Sequence, residues 1–122
     1  MDIAYICIFA SNFEESIAFY RDVLELQEDL SRSAEDFRAL KAGSTCIGIE
    51  RNGVRKHGEK TKAENPVLVQ FKARNLHELK EFTERLESKG VRILERVMET
   101  HYGTFTNFLD PDGNKLEILY QK

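Results

Sequence analysis

A chain of 122 residues is long enough for one domain, or for two small modules sharing a core, and too short for more. Its 41% hydrophobic and 32% charged content is that of an ordinary globular protein, and a net charge of -3 gives no field that would gather nucleic acid or an acidic membrane surface. No apolar run approaches the length of about 18 residues that a membrane span needs, Met1-Asp2 opens no signal-peptide pattern, and two cysteines are too few for a disulfide framework, so a cytoplasmic location is expected.

Ile3 to Ala10 is apolar on both faces, the pattern of a central strand covered on each side. Asn12 followed by Glu15 has capping-box spacing, and Phe13, Ile17, Tyr20 and Leu24 recur at helical intervals behind it. The chain runs on through Leu26 to Leu30, turns over Ser31 to Asp36, and resumes as strands at Phe37 to Leu40 and Thr45 to Arg51. Asn52 to Pro66 mixes Arg55, Lys56, Lys60 and Lys62 with His57, Glu59 and Glu64, and reads as a solvated linker. The alternative is a lid that recognises an anionic ligand.

The pattern then restarts. Val67 to Ala73 is a strand, Asn75 and Glu78 repeat the cap, and Leu79, Phe82 and Leu86 carry a helix that stops at Lys89-Gly90. Val91 to Val97 is a strand, and Met98 to Gly103 a bend. Two further strand-like runs flank Asp110-Pro111-Asp112-Gly113, whose proline and glycine preset a hairpin turn. Asn12 and Asn75 are 63 residues apart, as are Phe19 and Phe82. The expectation is an α+β fold of two βαβββ modules, with module one at 1–51, a linker at 52–66 and module two at 67–122. Like modules should pair about a pseudo-twofold axis, with mixed sheets curling round a central cavity.

The segments N-F-E-E-S-I-A-F-Y-R-D-V-L and F-L-D-P-D-G-N-K-L-E-I-L resemble the hallmark stretches of the vicinal oxygen chelate superfamily, the group of glyoxalase I, bleomycin-resistance proteins and extradiol dioxygenases. The resemblance covers essentially the whole chain. It implies the fold more specifically than the activity, because one fold hosts many functions. Metal-dependent members of this family hold one divalent ion with four side chains, from the first and last strand of each module. Here those positions fall on Tyr5, on Leu68, on Glu117, and on Gly48 or, by a two-residue slip, Glu50. Most of the metal-ligand positions are therefore replaced, and the resemblance implies a protein without a metal cofactor. The alternative is a divalent ion in a rearranged site of Glu117, Glu50, Tyr5 and His101.

Strand alternation supplies the other pocket candidates. Ile3, Cys7 and Phe9 share the face of Tyr5; Cys46 and Glu50, Gln70 and Lys72, and Lys115 and Leu119 continue it. Cys7 and Cys46 read as buried free thiols. Glu117, mid-strand in an apolar run, is either a structural acceptor bonded to Lys115 or a tyrosine hydroxyl, or a pocket carboxylate able to act as general base. His101 and Tyr102 stand in the bend where this family's loop rims its pocket. The expected site thus comprises Tyr5, Cys7, Glu50, Leu68, Gln70, His101, Tyr102, Glu117 and Leu119.

Whether a reaction is catalysed stays open at this stage. The first expectation is a metal-free binder of a small organic molecule, as in the bleomycin-resistance branch. The alternatives are a metal-dependent lyase, isomerase or dioxygenase, and an interaction module whose cavity its own side chains fill. A homodimer is the expected assembly, with no nucleic-acid or membrane partner.

Overall fold

A computed structural model describes all 122 residues, which divide into two compact units, Met1–Arg55 and Lys56–Lys122. Each unit is a βαβββ module, and the fold is α+β. The first contains β1 (Tyr5–Ala10), α1 (Phe13–Ala18), β2 (Gln27–Glu28), β3 (Phe37–Ala42) and β4 (Thr45–Arg51). The second contains β5 (Val69–Lys72), α2 (Leu76–Ser88), β6 (Ile93–Glu99), β7 (Gly103–Leu109) and β8 (Lys115–Gln121). Strand order is β1-β4-β3-β2 in one sheet and β5-β8-β7-β6 in the other. In both, the first strand runs parallel to the last and the remaining pairs are antiparallel. The duplication suggested by the 63-residue register is therefore present as a repeated topology.

The caps form as the spacing suggests. The Asn12 side chain accepts from the Glu15 amide at 3.1 Å, and Asn75 from Glu78 at 2.8 Å. The glutamates do not close the reciprocal half of the box. Glu15 pairs with Arg55 and Glu78 with Arg74 instead. Helix α1 passes into a π turn at Phe19–Val23, closed by the Leu24 amide donating to the Phe19 carbonyl at 3.0 Å. The widened turn lets the consecutive rings of Phe19 and Tyr20 both be buried, edge to face at 5.1 Å.

Helix α2 packs on one face of its sheet through Leu79 and Leu86, both fully buried. Burying each such leucine is worth about 1.5–3 kcal/mol. The Thr83 and Thr106 hydroxyls meet at 2.8 Å across this contact, and the rings of Phe82 and Phe108 lie 5.9 Å apart. Thr106 and Phe108 thus face the helix, which leaves Asn107, one step out of phase, on the opposite face. Across the hairpin, the carboxylate of Asp110 accepts from the Asp112 and Asn114 amides at 2.9 Å and from the Asn114 side chain at 2.8 Å. Gly113, at φ 85°, supplies the left-handed step.

Two expectations are corrected. Strand β1 is an edge strand, not a central one, because β4 is its only partner. Cys7 on it is accordingly exposed, while Cys46 on interior β4 is buried. The run through Leu26 to Leu30 forms only a two-residue strand followed by a 3-10 turn at Leu30–Arg32. The stretch 52–66 is bound to both modules' frameworks in parts. The Gly53 amide donates to Ala10 at 3.0 Å in the first unit. In the second, the Lys56 and Lys60 amides donate to Asp112 and Gly113 at 3.2 and 2.9 Å.

Candidate functional site

A polar row crosses the second sheet on the face turned away from α2. Register places Gln70 of β5 against Glu117 of β8, Glu117 against Asn107 of β7, and Asn107 against Glu95 of β6. The Gln70 amide donates to Glu117 at 2.9 Å. The Asn107 amide donates to the Glu95 carboxylate at 2.9 Å, while its oxygen accepts from the Glu95 backbone at 2.8 Å, which fixes its orientation. The Glu117 partner is thus Gln70, and the expected bond from Lys115 or a tyrosine gives way to it. The Lys115 ammonium lies 3.6 Å from Glu59.

Burial raises the Glu117 carboxyl above its ordinary range, and the nearby Glu95 charge adds to this. The hydrogen bond from Gln70, the charge of Lys115 and the nearby Asn107 amide oppose the shift without cancelling it. At 7% exposure, Glu117 is a carboxylate that holds its proton more readily than one in water. Leu119, also buried, lines a cleft of about 150 Å³ with Gln70, Phe71, Lys72 and Gln121, residues of β5 and β8.

The corresponding corner of the first unit is built differently. Cys7 pairs with Gly48 in β4, as Gln70 pairs with Glu117 in β8. Cys7 and Gln70 are also 63 residues apart, so Gly48, not Glu50, occupies the place of Glu117. A Cβ on Gly48 would lie 2.5 Å from the ring of Phe37, which therefore roofs this position. The Phe37 ring stands edge-on to Tyr5, with centroids 5.2 Å apart. Glu50 lies two residues further along β4, beside Cys7. Burial, and after it the Glu50 carboxylate, raises the thiol of Cys7 even though the side chain reaches solvent.

Sequence reasoning passed over Asn107, Glu95 and Phe37. The signal for Asn107 was available, since a hairpin folded about Asp110–Gly113 sets it opposite Glu117. Leu68 lies just ahead of β5 and is 43% exposed. His101 and Tyr102 sit in the exposed bend before β7, their rings 5.1 Å apart. Gly103 pairs with Gln121 and Asn107 with Glu117, so the bend and the carboxylate are separated by at least four strand steps, roughly 13 Å. His101 and Glu117 are not brought together.

The family model of the Glyoxalase/Bleomycin resistance protein/Dioxygenase superfamily matches residues 2–118. The chain belongs to that superfamily. Solved structures of the same fold include a glyoxalase/bleomycin resistance protein/dioxygenase family enzyme from Burkholderia phytofirmans PsJN, at 22% identity, TM-score 0.81 and full coverage of both chains. A glyoxalase/dioxygenase from Nostoc punctiforme is similar at 15% identity and TM-score 0.83, with 99% of this chain and 91% of that one covered. A lactoylglutathione lyase from Agrobacterium tumefaciens is similar at 20% identity and TM-score 0.74, with 98% and 92% covered. No curated protein matches the chain.

Superfamily membership makes the fit to a divalent ion a question for the residues present. Within neither unit do three His, Cys, Asp or Glu side chains cluster as a metal would require. Tyr5, Gly48 and Leu68 offer at most one phenol among them. In the polar row, the Gln70 and Asn107 amides meet Glu117 and Glu95 as hydrogen-bond donors, so neither amide adds an oxygen ligand beside those carboxylates. The residues do not fit the ion that the superfamily's metal-dependent members use. No helix is long and apolar enough to cross a membrane.

Proposed function

We propose that this superfamily member binds a small organic molecule without a metal ion, on the sheet face that carries Glu117. One observation carries the reading: Gly48 stands at the register of Glu117 in the other unit, with the Phe37 ring lying where a donor side chain would project. The row of Gln70, Glu117, Asn107 and Glu95 offers hydrogen-bonding groups already aligned by sheet register, and a preorganised set loses little freedom on binding. Glu117 supplies an acceptor to a ligand's hydroxyl, amine or amide. Its raised proton affinity also suits it to accept a proton from a weakly acidic ligand group.

A thermal-shift screen of small organic compounds, run in chelator and again with added divalent ions, tests this. A ligand present at 100 times its dissociation constant stabilises by about 2.7 kcal/mol. The expected result is a ligand whose stabilisation is the same in chelator and is lost in Glu117→Ala. Stabilisation that appears only with a divalent ion would overturn the proposal in favour of a metal-dependent lyase, isomerase or dioxygenase.

A further inference from the structure

A second cavity, of about 380 Å³, lies wholly within the second unit. Its lining is Pro66, Val67 and Leu68 leading into β5, Lys115 at the start of β8, and Glu59, Lys60, Lys62 and Asn65 from the stretch before them. At about 30 Å³ of liquid volume per water, it has room for about a dozen waters, or a small organic molecule. It is distinct from the polar row: no member of that row lines it.

Three features set it apart from an ordinary surface hollow. The first is charge. Three ammonium groups face one carboxylate, in a chain whose net charge is -3. Lys115 lies 3.6 Å from Glu59, while Lys60 and Lys62 have no acidic partner. The second is order. The Lys60 amide donates to Gly113 at 2.9 Å. Thr61 and Glu64 then bond each other's amides through their side chains at 3.1 and 3.2 Å, and Lys56 holds Glu64 at 2.7 Å. These bonds bring the Glu64 carboxyl down to about 2. Lys60 and Lys62 therefore flank a braced turn, and fixing them around a ligand costs less ordering than a free loop would. The third is the floor. Val67 and Leu68 are 60% and 43% exposed, and exposed apolar side chains rimmed by polar groups mark binding surfaces.

We infer that this cavity binds a small organic anion, a carboxylate or phosphate carried on a short apolar body. The oxyanion lies among Lys60, Lys62 and Lys115, and the body lies on Pro66, Val67 and Leu68. Glu59 competes with the anion for Lys115. The inference goes beyond the function proposed above and stands independently of it.

The test uses the isotope-labelled full chain, titrated with phenylacetate, phenyl phosphate, neutral 2-phenylethanol and inorganic phosphate, following backbone amide shifts. Phenylacetate, phenyl phosphate or both should saturate shifts at Lys60, Lys62, Leu68 and Lys115. Their relative affinities distinguish a carboxylate from a phosphate as the preferred headgroup. Double substitution Lys60→Gln/Lys62→Gln should weaken binding roughly tenfold, and Glu59→Gln should tighten it about two- to threefold by releasing Lys115. That gain cannot come from a misfolded variant. Equal binding of 2-phenylethanol or of inorganic phosphate, or weaker binding by Glu59→Gln, would overturn the inference. Shifts confined to Gln70, Asn107 and Glu117 would do so too, while leaving the polar-row proposal standing.

Discussion

Glu117 faces a choice that its neighbours decide only in part. Gln70 donates to its carboxylate and Lys115 attracts it, yet burial prevails and the proton affinity is raised. A carboxyl raised in the fold contributes stability that is fully present below its unfolded pKa of about 4.3 and is lost as pH rises through the higher folded value. At neutral pH the native protein therefore carries the desolvation cost of a half-satisfied charge. Glu117→Gln keeps the shape and the acceptor for Gln70 but never ionises. Urea unfolding should find the variant more stable than the parent at pH 7 and the difference closing below about pH 4. An unchanged gap across that range would mean that burial does not govern this group. The suspicion that a lone carboxylate in an apolar strand matters needed only alternation. Its actual partner, Gln70, required knowing that β5 lies beside β8, a long-range parallel pairing that no local pattern encodes.

Strand β6 shows where local patterns mislead in another way. The run Val91 to Val97 reads as a plain strand, but the strand spans Ile93–Glu99 and its register against β7 slips between Ile93 and Glu95 and again between Glu95 and Met98. Val97, inside the second slip, sits at φ 48°, where a β-branched residue is strained. Its amide is captured by the Thr106 hydroxyl at 2.9 Å, away from the regular ladder. The bulge coexists with the backbone and side-chain bonds that tie Glu95 to Asn107, so it helps to define the outer end of the polar row. Left-handed backbone costs an L-residue about 1–2 kcal/mol, and glycine in a strand costs about 0.5–1 kcal/mol. Val97→Gly should therefore be close to neutral in chemical denaturation, within about 1 kcal/mol. A loss well above 2 kcal/mol would show that the side chain's packing outweighs the strain. Caps, hairpin and helix faces were legible because each depends on neighbours in the chain. The bulge and the π turn at Phe19–Val23 were not, because both answer to packing across the sheet.

The two units share one topology and have diverged in what they put on it. The first sets Phe37 over Gly48; the second sets a carboxylate flanked by amides at the same register. The 63-residue spacing holds for the strands, at Cys7 and Gln70, as for the helices, at Asn12 and Asn75, because the connections between β1 and α1 and between β5 and α2 carry no relative insertion. Strand order could not be read the same way: an apolar run is equally consistent with a central strand and with an edge strand, and β1 is the latter. Hydrogen exchange separates the two. Interior strands β3, β4, β7 and β8 have partners on both sides, whereas β1, β2, β5 and β6 have one each. The slowest amides should be Ile47 and Ile49 in β4 and Thr106, Phe108 and Ile118 in β7 and β8, all at most 3% exposed. Those of β1 should exchange faster than those of β4, although β1 is as apolar in sequence. Protection of β1 equal to that of β4 would mean that its outer edge is paired after all, and the strand order described for the first unit would have to be redrawn.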